Sequence, residues 1–339
     1  MNTKLRVLFF SFFVFGGLLI LWFTISQNQT EVPHTSKPSI ETVAQPEKHS
    51  SLPFFSLRGL TSEEVLKELG EPLRMDPSEY GYKWWVYGTD KETELQLGIQ
   101  EDKVVTGVLF QEEEGSIQVH DSYEALTDRF SFEDSYRLDS EGAYTMKLTE
   151  QDIAERPVIS LGDDWSAQVY FDNVTRKVFA IRMLRNDILL KQQPYKVVYR
   201  GSLPQKEILT DEDWRGIEAG MKAQIFSITN GVRKHHKAGS LKEHEEAANV
   251  AYLHSQDMDI NNYFSHYSQD GEGLRERLSD VMYVRAGENI ASQYVDATAA
   301  VHGWLNSPGH RKALLDPKYT HLGVGVHQKY YTQNFLTLP

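Results

Sequence analysis

Residues 7–25, VLFFSFFVFGGLLILWFTI, run for nineteen positions without a charge. A helix of that length spans the hydrocarbon core of a bilayer. Lys4 and Arg6 precede the run, and the next positive charge is Lys37. The positive-inside rule therefore predicts a single-pass anchor over 1–26, with the N-terminus in the cytoplasm and the rest outside. The alternative is a cleaved signal peptide and a secreted protein. Against cleavage, the run exceeds a usual signal core, and the first alanine is Ala44. On either reading the remainder folds outside the cytoplasm, and it does so without cysteine. Disulfides, a thiol nucleophile, Cys-based zinc sites and a lipidated cysteine are all excluded.

Residues 27–55 are polar and carry Pro33, Pro38, Pro46 and Pro53, the composition of a flexible tether. The 313 residues beyond the anchor (339 less 26) suffice for two cores. The formal net charge of −13 argues against a nucleic-acid partner. That charge is uneven: Lys+Arg against Asp+Glu is 18 to 29 over 56–210 but 13 to 16 over 211–339. The acidic run QEEEG, 111–115, reads as a solvated hairpin tip.

Residues 56–195 predict an α+β domain of two helix-plus-sheet units. TSEEVLKELGEP (61–72) is a capped helix, and DSYEALTDRF (121–130) repeats its opening. LQLGIQEDKVVTGVLF (95–110) resembles AQVYFDNVTRKVFAIRML (167–184), with Lys103-Val104 matching Lys177-Val178. Both read as hairpins. The offset grows from 60 to 74 residues, which assigns extra chain near 134–157 to the second copy. Trp84, Trp85 and the neighbouring tyrosines are core candidates. Residues 196–209 form a connector.

The region 210–339 holds nine of the twelve histidines, so chemistry is expected there. Thr210 and Asp213 have capping-box spacing before a helical apolar period through Val232. A second helix, near 243–259, buries His254 as a satisfied core residue. His235 and His236 read as exposed positions at a helix end. Two antiparallel strands close the chain, near 321–327 and 330–338. In WLNSPGHRKALLDP (304–317), Ser307 suits an N-cap and Pro308 the first helical position. His310 then falls in the first turn, where the helix dipole should keep its imidazole neutral.

Four ordered blocks stand out: AYLHSQDMDINNYFSHYSQDGEGLRERL (251–278), AGENIA (286–291), WLNSPGHRKALLDPKYTHLGVGV (304–326) and YYTQNF (330–335). Together they resemble the CAP superfamily of cysteine-rich secretory, antigen 5 and pathogenesis-related proteins, in its cysteine-free bacterial branch. The resemblance covers about 210–339. LGEP, YGYKWWVY and the order of parts make 56–195 similar to the CAP-associated domain of some Gram-positive surface proteins.

The resemblance implies a C-terminal α-β-α sandwich whose cleft carries two histidines and two glutamates. His266 and Glu288 match one of each. The second histidine usually stands where this chain has Tyr330, and the second glutamate shortly after Trp304, where Asn306 and Ser307 stand. His266 and Glu288 should therefore share a cleft, with Tyr330 at its rim and His310 the one imidazole to replace the lost histidine. His266, Glu288 and His310 would suffice to hold a catalytic zinc, although their spacing is no local metal signature. A polar pair without metal is the plainer arrangement. The leading expectation is a membrane-anchored, extracytoplasmic protein that binds a ligand or partner at the cell surface. The alternative is a peptidase-like, metal-dependent hydrolase.

Overall fold

The computed structural model describes residues 6–7, 52–138 and 143–339. The backbone of Arg6–Val7 pairs with Val198–Tyr199. Otherwise the membrane segment expected in 1–26, and the tether as far as residue 51, lie outside the described residues. Among the described residues no helix is long and apolar enough to cross a membrane.

A seven-stranded antiparallel sheet organises the first half. Its order is Arg74–Pro77, Lys83–Gly88, Thr93–Gln100, Lys103–Leu109, Lys177–Arg185, Trp165–Asp172 and Val158–Gly162. One bonding pattern occurs on both sides of its centre. The helix Ser62–Leu69 starts from Thr61, and Tyr123–Thr127 starts from Ser122, each capped by that hydroxyl. Gly59 N donates to Val104 O as His120 N does to Val178 O, and Ser62 N to Asp102 O as Tyr123 N does to Arg176 O. Thr61 bridges Lys103, and Ser122 bridges Lys177.

Ser135–Arg137, Tyr144–Lys147 and Lys196–Tyr199 make a separate small sheet, so the expected connector begins as a strand. Trp84, Trp85 and Tyr82 are buried. QEEEG is not a hairpin tip. It leaves the strand Lys103–Leu109 and leads on towards the helix Tyr123–Thr127, joining the two halves of the sheet.

The second half is a four-stranded sheet between helices, ordered Lys242–Glu243, His321–His327, Tyr330–Thr337 and Arg285–Ser292. Strand alternation assigns its faces. Leu322, Val324, Val326, Tyr331 and Phe335 share one core with Ile217, Ile225, Val301 and Trp304 from the helices Asp211–His235 and Ala297–Asn306. On the other face Gly323 and Gly325 lie under the helix Glu245–Ile260. A Cβ on Gly325 would stand 2.0 Å from Tyr252 N, so the helix backbone rests on the strand. Thr332 bonds Ser255, and Asn334 bonds Ala247 O, on that same face.

The halves are locked together. Arg182, fully buried, pairs with Asp296 at 2.7 Å. Asp172 takes both terminal nitrogens of Arg311 at 2.9 Å. Its burial alone would raise the carboxyl pKa, but bonds from His236, Arg311 and two backbone amides hold it well below the ordinary range. Gln224 donates to Asp76 at 2.8 Å, and Thr93 and Ser227 share a bond of 2.6 Å. His302 sits 2.9 Å from the Phe171 carbonyl.

Two expectations follow. Replacing Arg182 with Met leaves Asp296 buried without its countercharge, and urea unfolding of Arg182→Met should show a loss of about 3–5 kcal/mol. Burial pushes the His302 imidazole down to about 4 from 6.5. As pH falls, the unfolded chain therefore takes up that proton first. The contribution is whole above about 6.5 and drains as pH falls towards 4. His302→Gln should start less stable at pH 7.5 yet lose less in its urea midpoint on going to pH 5.

Candidate functional site

Glu288 lies mid-strand in Arg285–Ser292, opposite Asn334, and so faces the Glu245–Ile260 helix. Its side chain is only 3% exposed. A buried carboxylate needs partners, and both oxygens have them. His266 Nδ1 donates to Oε1 at 2.8 Å, and Arg277 Nη2 donates to Oε2 at 2.7 Å. Burial would raise the Glu288 pKa. The His266 bond and the charge of Arg277, with a smaller effect from His254, hold it below the usual value.

Arg277 also gathers the loop before it. Its Nη1 donates to the carbonyls of His266 and Glu272 and to Ser268 Oγ, so the guanidinium fixes the turn that presents His266. His266 itself is half exposed. With Nδ1 committed to Glu288, Nε2 is the ring nitrogen left to meet a ligand.

His310 keeps its expected neutrality. Burial comes first and the charge of nearby His266 second in taking it down to about 4. Ser307 is the N-cap by position, but its hydroxyl does not bond the helix backbone. It bonds His310 Nδ1 at 2.9 Å. Tyr330 stands opposite Ser292, four residues along the strand from Glu288, which is about 13 Å at strand rise. Its charged neighbour is Asp259. The structure thus brings His266 and Glu288 together, sets His310 beside His266, and places Tyr330 well along the sheet.

A zinc does not fit the donors expected for it. Both Glu288 oxygens are taken by hydrogen-bond donors, which leaves only the two imidazoles of the three expected donors. Among the described residues no group of three His, Cys, Asp or Glu side chains is placed to hold a metal ion. Asn306, near where the family's second glutamate usually lies, is committed elsewhere. It accepts from Asn173 N at 3.0 Å and donates to Phe171 O at 2.8 Å across the domain seam.

Sequence reading missed two members. Arg277 sits in the first of the four blocks, and the only signal for it was the need of a buried Glu288 for a countercharge. His254 is buried as expected but only half satisfied: Nε2 bonds Ser265 O at 3.0 Å, while Nδ1 has no partner. His254 and Arg277 border a hollow of about 420 Å³ between the Glu245–Ile260 helix and the loop around 268–272.

Residues 59–195 match the CAP-associated N-terminal family, and 226–338 match the cysteine-rich secretory protein family. The membrane protein YlbC of Bacillus subtilis is 39% identical, over 94% of this chain and 95% of its own. The chain belongs to the CAP superfamily. YkwD of Bacillus subtilis is 34% identical over 33% of this chain and 46% of its own. An extracellular SCP-domain protein of Bacillus anthracis superposes with a TM-score of 0.79 at 38% identity, covering 88% of this chain and 99% of that one. A cysteine-rich secretory protein of Staphylococcus aureus shares the fold at a TM-score of 0.73 and 22% identity, covering 85% and 96%.

Arg277→Met should release the Glu288 carboxyl. Carbon-detected NMR titration should then show its pKa rising by about one unit or more, as expected for loss of a contacting cation. A titration curve that does not move would remove Arg277 as the source of the charge stabilisation.

Proposed function

We propose that this CAP-domain protein works on the outer side of a membrane, tethered through its N-terminal segment, and binds a ligand or partner through the cleft at His266. The names of its relatives support the place: one is called a membrane protein and another an extracellular protein. The described helices offer no other route across a bilayer. On this reading 56–195 is a distinct domain that carries and braces the CAP domain at 210–339.

The observation that carries binding over hydrolysis is the saturated Glu288 carboxylate. A general base or metal-bound nucleophile needs a carboxylate or imidazole able to exchange its partner during the reaction. Glu288 instead orients His266 on one oxygen and neutralises Arg277 on the other. What faces solvent is one positioned imidazole, with a second, neutral one beside it. That set recognises a ligand by hydrogen bonds. Tyr330 belongs to the surface along the strand rather than to this pair.

Sedimentation with isolated cell envelopes tests the reading. The wild-type protein should co-sediment, and His266→Ala should weaken that binding at least about tenfold, the scale of one charge-assisted bond. Zinc should change neither result. Turnover of a peptide or ester by the wild type that His266→Ala abolishes would overturn binding in favour of hydrolysis.

A further inference from the structure

The hollow beside Arg277 has a chemistry of its own. Its inner wall holds two side chains more than nine-tenths buried, each with an unpartnered polar atom: His254 Nδ1 and Arg277 Nε. The two are opposite in kind. His254 donates from Nε2 to the Ser265 carbonyl, so Nδ1 is a lone-pair acceptor. Burial, its largest influence, keeps that ring neutral by lowering its pKa. Arg277 Nε carries a hydrogen and can only donate. At the mouth, Asp270 and Glu272 are exposed carboxylates, and Val250 and Leu253 supply apolar surface from the helix.

Those features select among ligand classes. An ammonium group satisfies the acceptor and leaves the arginine unmet. A phosphate or carboxylate meets the arginine, but faces three carboxylates, Asp257, Asp270 and Glu272, and a guanidinium whose charge Glu288 already balances. A hydroxyl donates and accepts through one atom. Several hydroxyls on neighbouring carbons match carboxylates at the rim, while ring C–H faces suit valine and leucine.

We propose that the hollow is a binding site for a neutral polyhydroxylated ligand, a short saccharide, with one hydroxyl donating to His254 Nδ1 and accepting from Arg277 Nε. This goes beyond the binding reading above, because His254 and Arg277 border the hollow and His266 is not among its lining side chains. Both wall atoms lie beneath the surface, so the hydroxyl must seat at the floor of the hollow and the 268–272 turn must give slightly to admit it. Glu288 then serves recognition at one remove, because it fixes the guanidinium whose Nε is offered.

The test uses the full-length chain in a detergent without a sugar headgroup, with chitotriose and cellotriose as probes and trialanine and inorganic phosphate as the other classes. Saturation-transfer NMR should show contact with at least one saccharide and none with phosphate. By calorimetry, the double variant Asp270→Asn, Glu272→Gln should bind that saccharide at least about tenfold more weakly. Its exposed positions leave folding intact, and His254→Phe should lose binding at the inner wall. No saccharide contact, equal affinity in the rim variant, or a preference for trialanine or phosphate would overturn the proposal. Envelope binding that still depends on His266 would then leave the broader reading standing. Saccharide binding without envelope binding would instead uphold the hollow as a saccharide site and remove the envelope as its target.

Discussion

The ion pair between Arg182 and Asp296 ties this structure together. Arg182 comes from the central pair of strands in the first domain and has no contact with solvent. Asp296 caps the helix Ala297–Asn306, accepting from Ala299 N as well. One carboxylate thus starts a helix and neutralises a charge that burial would otherwise make very costly. That helix carries His302, Trp304 and Asn306, all bonded to fixed carbonyls, and it delivers the chain to Ser307 and His310. The position of the neutral imidazole beside His266 is therefore set from the neighbouring domain.

A second buried pair governs the cleft. Glu288 and Arg277 are each nearly sealed from water, and neither is tolerable there alone. Together they form a local frame: the carboxylate turns His266, and the guanidinium gathers the carbonyls of its loop. The family's usual four-residue set is halved in this chain, and the freed positions have structural duties. Asn306 holds the domain seam, and Tyr330 begins the second strand of the hairpin at the centre of the sheet.

Legibility in the sequence followed locality. The capping boxes at Thr61 and Thr210, the closing hairpin and the hairpin turns at Lys103 and Lys177 all depend on neighbours a few residues away. Periodicity and cap chemistry suffice for these. The His266–Glu288 contact was reached through the ordered motifs, since 22 residues of separation carry no periodic signal. The partners of the remaining groups are set by tertiary packing. Nothing local distinguishes Arg277 from Arg275, or tells Ser307 to bond an imidazole rather than a backbone amide. Nothing local marks His302 as buried either, since the surface that covers it, Tyr170 and Phe171, belongs to another domain. QEEEG was misread because a charged loop looks the same whether a strand or, as here, a helix comes next.

The close seating of Gly323 and Gly325 under the Glu245–Ile260 helix has a bearing on how such a protein diversifies. With no side chain between helix and strand, their backbones pack directly, and a Cβ at either glycine would force them apart. His254 on the helix and Glu288 on the sheet are then fixed points, as unchanging as the posts of a gate. The stretch between them, from 261 to 284, is mostly exposed, with Phe264, Tyr267 and Met282 at least half open to solvent or nearly so. Apart from Arg277 and the buried Leu278, substitutions there meet few packing demands. Relatives can therefore acquire new ligand preferences by rewriting one loop on an unaltered frame.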